Sequence, residues 1–168
     1  MDLSEGRRVV DCKWGFRLKL NHDGSIQKRK ARLIAREFTQ RDGFDFSEIY
    51  APVIRMSTVR IMLAFANQHG LFVHQMDVTT AFLNGHLTVE IYIRQPRGFE
   101  EGNRVCRLNK SIYGLRQASK AWNDMFDLFV LKIGFLRSVE DNCVYVLKGS
   151  LGVVYLLLYV DDVLTGGN

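Results

Sequence analysis

Two carboxylates stand side by side at Asp161 and Asp162, delivered by the apolar run 155–160 (YLLLYV). A third, Asp77, closes another strand-like run, 71–78 (LFVHQMDV). If the two runs are neighbouring central strands of one sheet, Asp77, Asp161 and Asp162 meet at one edge. Two carboxylates ~4 Å apart repel by about 4 kcal/mol at an effective dielectric near 20, so three cannot all stay comfortably ionised. Protonation, a basic partner or metal ions must offset that cost. Oxygen-only donors suit Mg²⁺, which keeps waters and is held by one or two carboxylates plus substrate phosphates. A pair of such ions about 3.5–4 Å apart is the clamp of phosphoryl and nucleotidyl transfer. The competing reading is bland: Asp-Asp is frequent in tight turns, where Asp accepts local backbone hydrogen bonds.

The elements that must position these residues are readable from periodicity. "STVRIMLAFANQHG" (57–70) predicts a helix, with Val59, Met62, Leu63 and Ala66 on its apolar face, Ser57 or Thr58 as its cap and Gly70 closing it. A second helix is predicted over 118–133. Ala118, Ala121, Trp122, Met125, Phe126 and Phe129 lie on one side, Lys120, Asn123, Asp124 and Asp127 on the other, and Gly134 at its end. "LFVHQMDV", "VEIYIRQP", "CVYVLKG" and "GVVYLLLYV" read as strands, "TTAFLNG" as a short turn of helix, and Gly149 to Gly152 as a turn. Helices interspersed with mostly antiparallel strands predict an α+β layer, with two helices on one face of one sheet.

The 168 residues suffice for one domain with a real core. A 47% hydrophobic and 24% charged composition is ordinary for a globular chain. No apolar stretch reaches the length of a bilayer span, and the first residues carry no signal-peptide pattern, so no membrane partner is expected. Cys12, Cys106 and Cys143 are far apart and odd in number, which suits reduced thiols rather than a disulfide framework. His22, His69, His74 and His86 are scattered and read as turn, helix-end and surface residues.

The net charge of +5 is concentrated. From Lys13 to Arg41 nine Lys or Arg stand against two acids, Asp23 and Glu37, a local excess of seven. That segment reads as a β-hairpin, "CKWGFRLKLN" and "IQKRKARLIAR" joined by the turn-forming "HDGS". Lys28, Lys30 and Arg32 alternate and share one face, while Ala31, Leu33 and Ala35 share the other. A basic face on a ribbon suits a polyanion such as nucleic acid or a triphosphate. A charge run alone also fits a solvated face.

"YVDD" (159–162) and "QMDVTTAFLNG" (75–85) together resemble the paired catalytic motifs of a reverse transcriptase. "KARLIAREFTQ", "FSEIYAPVIR", "EIYIRQPRGF" and "VCRLNKSIYGLRQASKAW", in that order and at compatible spacing, are similar to the copia-type LTR retrotransposon polymerase, part of a Pol polyprotein. The resemblance runs from about Cys12 to Gly166. It implies a right-hand polymerase: a fingers-like basic hairpin and linker over 12–50 and a palm-like region over 51–168, within a single reverse transcriptase domain fragment.

The resemblance also implies roles. Asp77, Asp161 and Asp162 are the catalytic carboxylates and, with the backbone of Val78, hold two Mg²⁺ ions, for which Mn²⁺ can substitute. Phe82 falls at the aromatic steric gate that excludes a ribose 2′-OH, next to Thr80 and Ala81; the ordinary alternative is a core aromatic. Tyr113, Gly114 and Arg116 resemble the loop that packs on the templating base and the incoming nucleotide. The plain alternatives are that Gly114 marks a turn before the second helix and that Arg116 is a helix-start charge rather than a phosphate contact. Lys19, Lys30 and Arg32 are the candidates for contact with the triphosphate, Lys as point charges and Arg as a forked donor. The expected partners are an RNA or DNA template-primer, dNTP, and the remaining thumb, RNase H and integrase parts of Pol. The setting implied by the family's life cycle is a cytoplasmic virus-like particle. Ser119 stands where related sequences often carry Pro.

Six residues follow Asp162, so the expectation is a segment truncated after YVDD, with the thumb absent: a fragment, or a decayed or co-opted copy. Two readings compete on function. One is a nucleotidyl-transferring fingers and palm segment; the other is a catalytically inactive nucleic-acid-binding remnant. A third, an unrelated α+β domain whose Asp pair is only a turn, would leave Asp77 and Asp161 indifferent to divalent cations.

Overall fold

The computed structural model describes residues 1–150 and 152–168. In chain order the strands and helices are β1 (Val9–Val10), β2 (Cys12–Leu20), β3 (Ile26–Ala35), α1 (Met56–His69), β4 (Phe72–Asp77), β5 (Tyr92–Arg94), β6 (Val105–Arg107), α2 (Ala118–Lys132), β7 (Leu136–Arg137), β8 (Val144–Gly149), β9 (Gly152–Tyr159) and β10 (Asp162–Gly167). Short 3₁₀ turns cover Glu37–Thr39 and Ala81–Asn84. This is the mixed α+β class that the periodicity predicts. The turn expected at Gly149 to Gly152 includes Leu151, which lies outside the described residues; Gly149 and Gly152 pair across it. Among the described residues, no helix is long and apolar enough to cross a membrane.

The chain divides into two compact units, 1–49 with 82–121 and 50–81 with 122–168. The first holds the antiparallel ribbon β2–β3 and a three-stranded sheet ordered β1-β5-β6, in which β1 runs parallel to β5. Its core gathers Val10, Ala35, Ile91, Ile93, Ile112, Leu115 and Ala118. Gln40 and Gln117 are both buried there; the Gln40 amide donates to Gln117 at 3.0 Å, and the Gln117 amide donates to the Asp45 carbonyl at 2.8 Å. With the Arg116 N–H donating to the Gln40 oxygen, this relay gives both buried amides partners and avoids the penalty of an unpaired polar group.

The second unit is one antiparallel sheet ordered β4-β10-β9-β8-β7. Its two helices occupy opposite faces, which corrects the expectation of two helices on one face. Phe65 of α1 meets Tyr155 edge-on at 5.6 Å, whereas Phe126 of α2 meets Tyr145 at 6.0 Å. Tyr145 is the register partner of Leu156, the residue next to Tyr155, and adjacent strand residues point to opposite faces. Under α1, Met62 and Ala66 pack with Ile54, Cys143 and Leu157. On the α2 side the sheet buries Leu156, Leu158 and Val163. Periodicity alone shows that each helix has an apolar stripe, not which side of a sheet receives it.

Several boundary details differ from expectation for tertiary reasons. Neither Ser57 nor Thr58 caps α1. The Asp141 carboxylate does so from outside, accepting from the Arg55 N–H at 3.3 Å and the Thr58 hydroxyl at 2.8 Å. Leu63 is exposed, as is Phe129, while Val130 and Asn123 are buried in their stead. Gly134 does end α2, at φ +99, with the Phe135 N–H bonded to the Val130 carbonyl at 3.1 Å and the Gly134 N–H to Leu131 at 3.0 Å. That is a Schellman closure, which only glycine adopts without penalty.

Candidate active site

The carboxylate end of the second unit is built by the β9–β10 hairpin and the edge strand β4. β9 is not the neighbour of β4, contrary to the expectation of adjacent central strands; β10 lies between them, and β4 is exposed along its length. Asp77 therefore faces Asp162, its direct register partner, rather than Asp161. Directly opposed residues carry their side chains on one sheet face with Cβ atoms about 5 Å apart. Gln75, two residues before Asp77, shares that face, and its amide donates to Asp162 Oδ1 at 3.2 Å. This is the face that α1 covers farther along, over Leu157 and Leu164, so the carboxylates sit beyond the helix-covered part.

Asp161 belongs to the turn. Tyr159 pairs with Asp162, leaving Val160 and Asp161 as a two-residue loop. Val160 has φ +55, whereas Asp161 does not have positive φ, the pattern of a type II′ turn, whose first central position favours glycine. A β-branched residue there costs roughly 1–3 kcal/mol. Two contacts hold the loop. The Val78 N–H donates to the Asp161 carbonyl at 2.8 Å, extending the β4–β10 ladder by one bond. The Trp122 indole donates to the Val160 carbonyl at 2.5 Å. Thr80, three residues after Asp77, also has positive φ, +56. Both β-branched outliers thus lie within three residues of a candidate carboxylate, and such strain clusters at functional sites. Ala81, the next expected site residue, is buried.

Asp77, Asp161 and Asp162 carry the hard oxygen donors that Mg²⁺ takes, so their chemistry, though not a closed ligand cluster, suits a divalent cation. Their arrangement is a facing pair with the third on the turn. Among the described residues, no group of three or more His, Cys, Asp or Glu is arranged to hold a metal.

In the first unit, the ribbon register sets Arg17 opposite Lys30, Lys19 opposite Lys28, and Gly15 opposite Arg32. Alternation adds Lys13, so six cations share one face. Their crowding is chemical as well as geometric. The Lys30 ammonium is held below the ordinary lysine value, first by the charge of Lys19, then by desolvation, Arg32 and Lys28. The opposite face carries Trp14, Phe16 and Leu18, with Phe16 and Leu18 exposed.

The same unit brings Phe82 and Tyr113 together, their ring centroids 5.7 Å apart. Phe82 packs partly against the core cluster, which is the core-aromatic alternative; Tyr113 is exposed beside it. Gly114 has φ +89, and a Cβ there would collide with the Ala35 carbonyl and with Ile34 Cγ2 at 2.8 Å. The glycine is needed for the chain's own packing, where the Ala35 N–H also donates to the Tyr113 carbonyl at 2.9 Å. Arg116 is exposed, with its guanidinium 5.4 Å from the Phe46 ring and its backbone N–H bonded to Gln40.

Sequence reasoning missed Gln75, Val160 and Trp122 as parts of this region. Gln75 was within reach of the strand alternation that puts it beside Asp77. Trp122 reads from sequence as one more apolar helix residue, although a buried indole N–H demands an acceptor.

The comparisons with known proteins decide the family. The family model described as reverse transcriptase (RNA-dependent DNA polymerase) matches residues 1–168. The chain belongs to this reverse transcriptase family. It is 44% identical over 163 residues to the retrovirus-related Pol polyprotein from transposon RE2 of Arabidopsis thaliana, covering 95% of the chain and 11% of that protein. To the corresponding polyprotein from transposon TNT 1-94 of Nicotiana tabacum it is 44% identical over 171 residues, covering 99% and 13%. A more distant relative, the Transposon Ty1-DR5 Gag-Pol polyprotein of Saccharomyces cerevisiae, is 28% identical over 159 residues, covering 94% and 8%. The copia-type resemblance read from the motifs agrees with these relatives. The chain spans about a tenth of the length of the Pol polyproteins it matches. No solved structure matches it.

Proposed function

We propose that the chain is the fingers and palm segment of a copia-type RNA-directed DNA polymerase, adding dNTPs to a primer 3′-hydroxyl. The observation that carries this reading is the facing of Asp77 and Asp162 with Asp161 one residue beyond, tied through its carbonyl to Val78. Residues 51–168 are the palm and 12–50 the fingers. Asp77, Asp161, Asp162 and the Val78 carbonyl would hold two Mg²⁺, or Mn²⁺ in their place. When bound, the ions supply charge neutralisation on the phosphates and favour ionisation of the primer hydroxyl.

The remaining work falls to the protein's own groups. Lys19, Lys30 and Arg32 meet the triphosphate, the lysines as point charges and the arginine through two parallel N–H donors. Their mutual repulsion is relieved when a polyanion arrives, so the binding is salt-dependent. Thr80, Ala81 and Phe82 line the sugar, Phe82 leaving no room for a 2′-hydroxyl. Tyr113, Gly114 and Arg116 pack on the nascent base pair. By resemblance to the copia-type polymerase, the thumb, RNase H and integrase parts of Pol are the expected covalent companions. The relatives, of which the chain spans about a tenth, support only that further Pol segments accompany it.

The test is single-nucleotide addition to a labelled primer annealed to RNA, with Mg²⁺ present. Addition by the wild type, lowered by about a thousandfold or more in Asp77→Asn and Asp161→Asn, supports the reading. Equal addition by either variant overturns it. A second reading, a non-catalytic nucleic-acid-binding remnant, is favoured by the six-cation ribbon face. Tight, steeply salt-dependent binding of primed template with no addition would select it.

A further inference from the structure

The loop that presents Asp161 is held in an unfavourable conformation, and one side chain outside the β9–β10 hairpin donates to it. Val160 is β-branched at φ +55. Its carbonyl accepts the Trp122 indole N–H, and Trp122 is buried. The indole is itself fixed. Its ring lies 5.5 Å from Phe126, which lies 6.0 Å from Tyr145, and the Tyr145 hydroxyl donates to Asp127 at 3.1 Å. A buried aromatic row thus runs from β8 along α2 to the tip of the hairpin. On the other side of the tip, the Val78 N–H bonds the carbonyl of the next residue, Asp161. The two peptide carbonyls of the loop are therefore gripped by groups on two different elements.

We propose that Trp122 is a positioning residue: its N–H keeps Val160 left-handed and so holds Asp161 against the end of β4. Without that donor, a valine would relax toward negative φ, rotating the Val160–Asp161 peptide and weakening the Val78 bond. The alternative is that the bond merely satisfies a buried indole. The two differ in what moves when the donor is removed. The consequence for cation binding rests on the reading of Asp77 and Asp161 as ligands; the consequence for the loop does not.

The test compares wild type, Trp122→Phe, Val160→Gly and the double variant by amide hydrogen exchange. The expected result is that Trp122→Phe speeds exchange of the Val78 amide about tenfold or more. The Leu158 amide, bonded to the Cys143 carbonyl within the sheet, should stay unchanged. Val160→Gly, which takes positive φ without strain, should restore Val78 protection in the Trp122→Phe background. Unchanged Val78 exchange, or Val78 and Leu158 accelerating together without rescue, overturns the proposal. Should Trp122→Phe fail to fold, 3-benzothienylalanine at position 122 keeps the bicyclic shape and lacks the donor, and the same two amides decide. A parallel Mn²⁺ titration, read by electron paramagnetic resonance, separates the two readings. Binding that persists in Asp77→Asn and Asp161→Asn sinks the polymerase site while the exchange data still judge Trp122. Binding lost in those variants, with Val78 exchange unmoved by Trp122→Phe, sinks only the positioning role.

Discussion

Asp77 and Asp162 oppose each other directly across the β4–β10 ladder, two like charges at a position where sheets prefer complementary ones. Such a pair weakens the fold it belongs to, and Gln75 offsets only part of this by donating to Asp162. Under the proposed function, the pair sets cation binding against stability.

Asp162→Asn should raise stability in metal-free, low-salt buffer by a few tenths of a kcal/mol, because a like-charge cross-strand pair disappears. The gain should shrink as salt screens the pair. Urea midpoints at low and high ionic strength check both statements; a loss of stability at low salt would show that the Asp162 charge is already compensated.

Lys30 offers a probe of the ribbon face. Its proton is lost more readily than usual, chiefly because Lys19 sits beside it. Lys19→Ala should therefore move the Lys30 titration upward, as should added salt or bound tripolyphosphate. Lysine side-chain NMR titration measures this, and an unmoved Lys30 would mean that the cations do not act on one another across the register.

Gly114→Ala should destabilise the chain by about 2 kcal/mol or more. The added Cβ meets backbone, the Ala35 carbonyl, which cannot swing aside as a side-chain tip would. Positive φ adds to the cost. Thermal unfolding checks the magnitude, and a shift within the error of the wild type would require a different course for the Tyr113–Gly114 segment.

Asp141→Ala should cost about 1–2 kcal/mol, the range for loss of a helix cap, since one carboxylate serves the Arg55 N–H, the Thr58 hydroxyl and the Cys143 N–H. Ser57→Ala should cost almost nothing, because that hydroxyl is not the cap. Denaturant unfolding of the two variants side by side distinguishes a tertiary cap from a local one.

Much of this protein is written in short-range pattern. The alternation of Lys28, Lys30 and Arg32 determines a basic ribbon face wherever the ribbon goes, because a strand has period two. The stripes of α1 and α2, the closing glycines Gly70 and Gly134, and strands ending in Asp77 and before Asp161 follow from period and cap chemistry in the same way. The tertiary structure decided the rest: that β10 separates β9 from β4, so that Asp162 rather than Asp161 faces Asp77; that the helices take opposite faces of the sheet; that Asp141 caps α1 across 86 residues of chain; and that Trp122 reaches the carbonyl of Val160. Each of these joins groups remote in the chain through contacts whose partners no local period encodes, since strand order and helix side are chosen by the summed burial and hydrogen bonding of the whole unit.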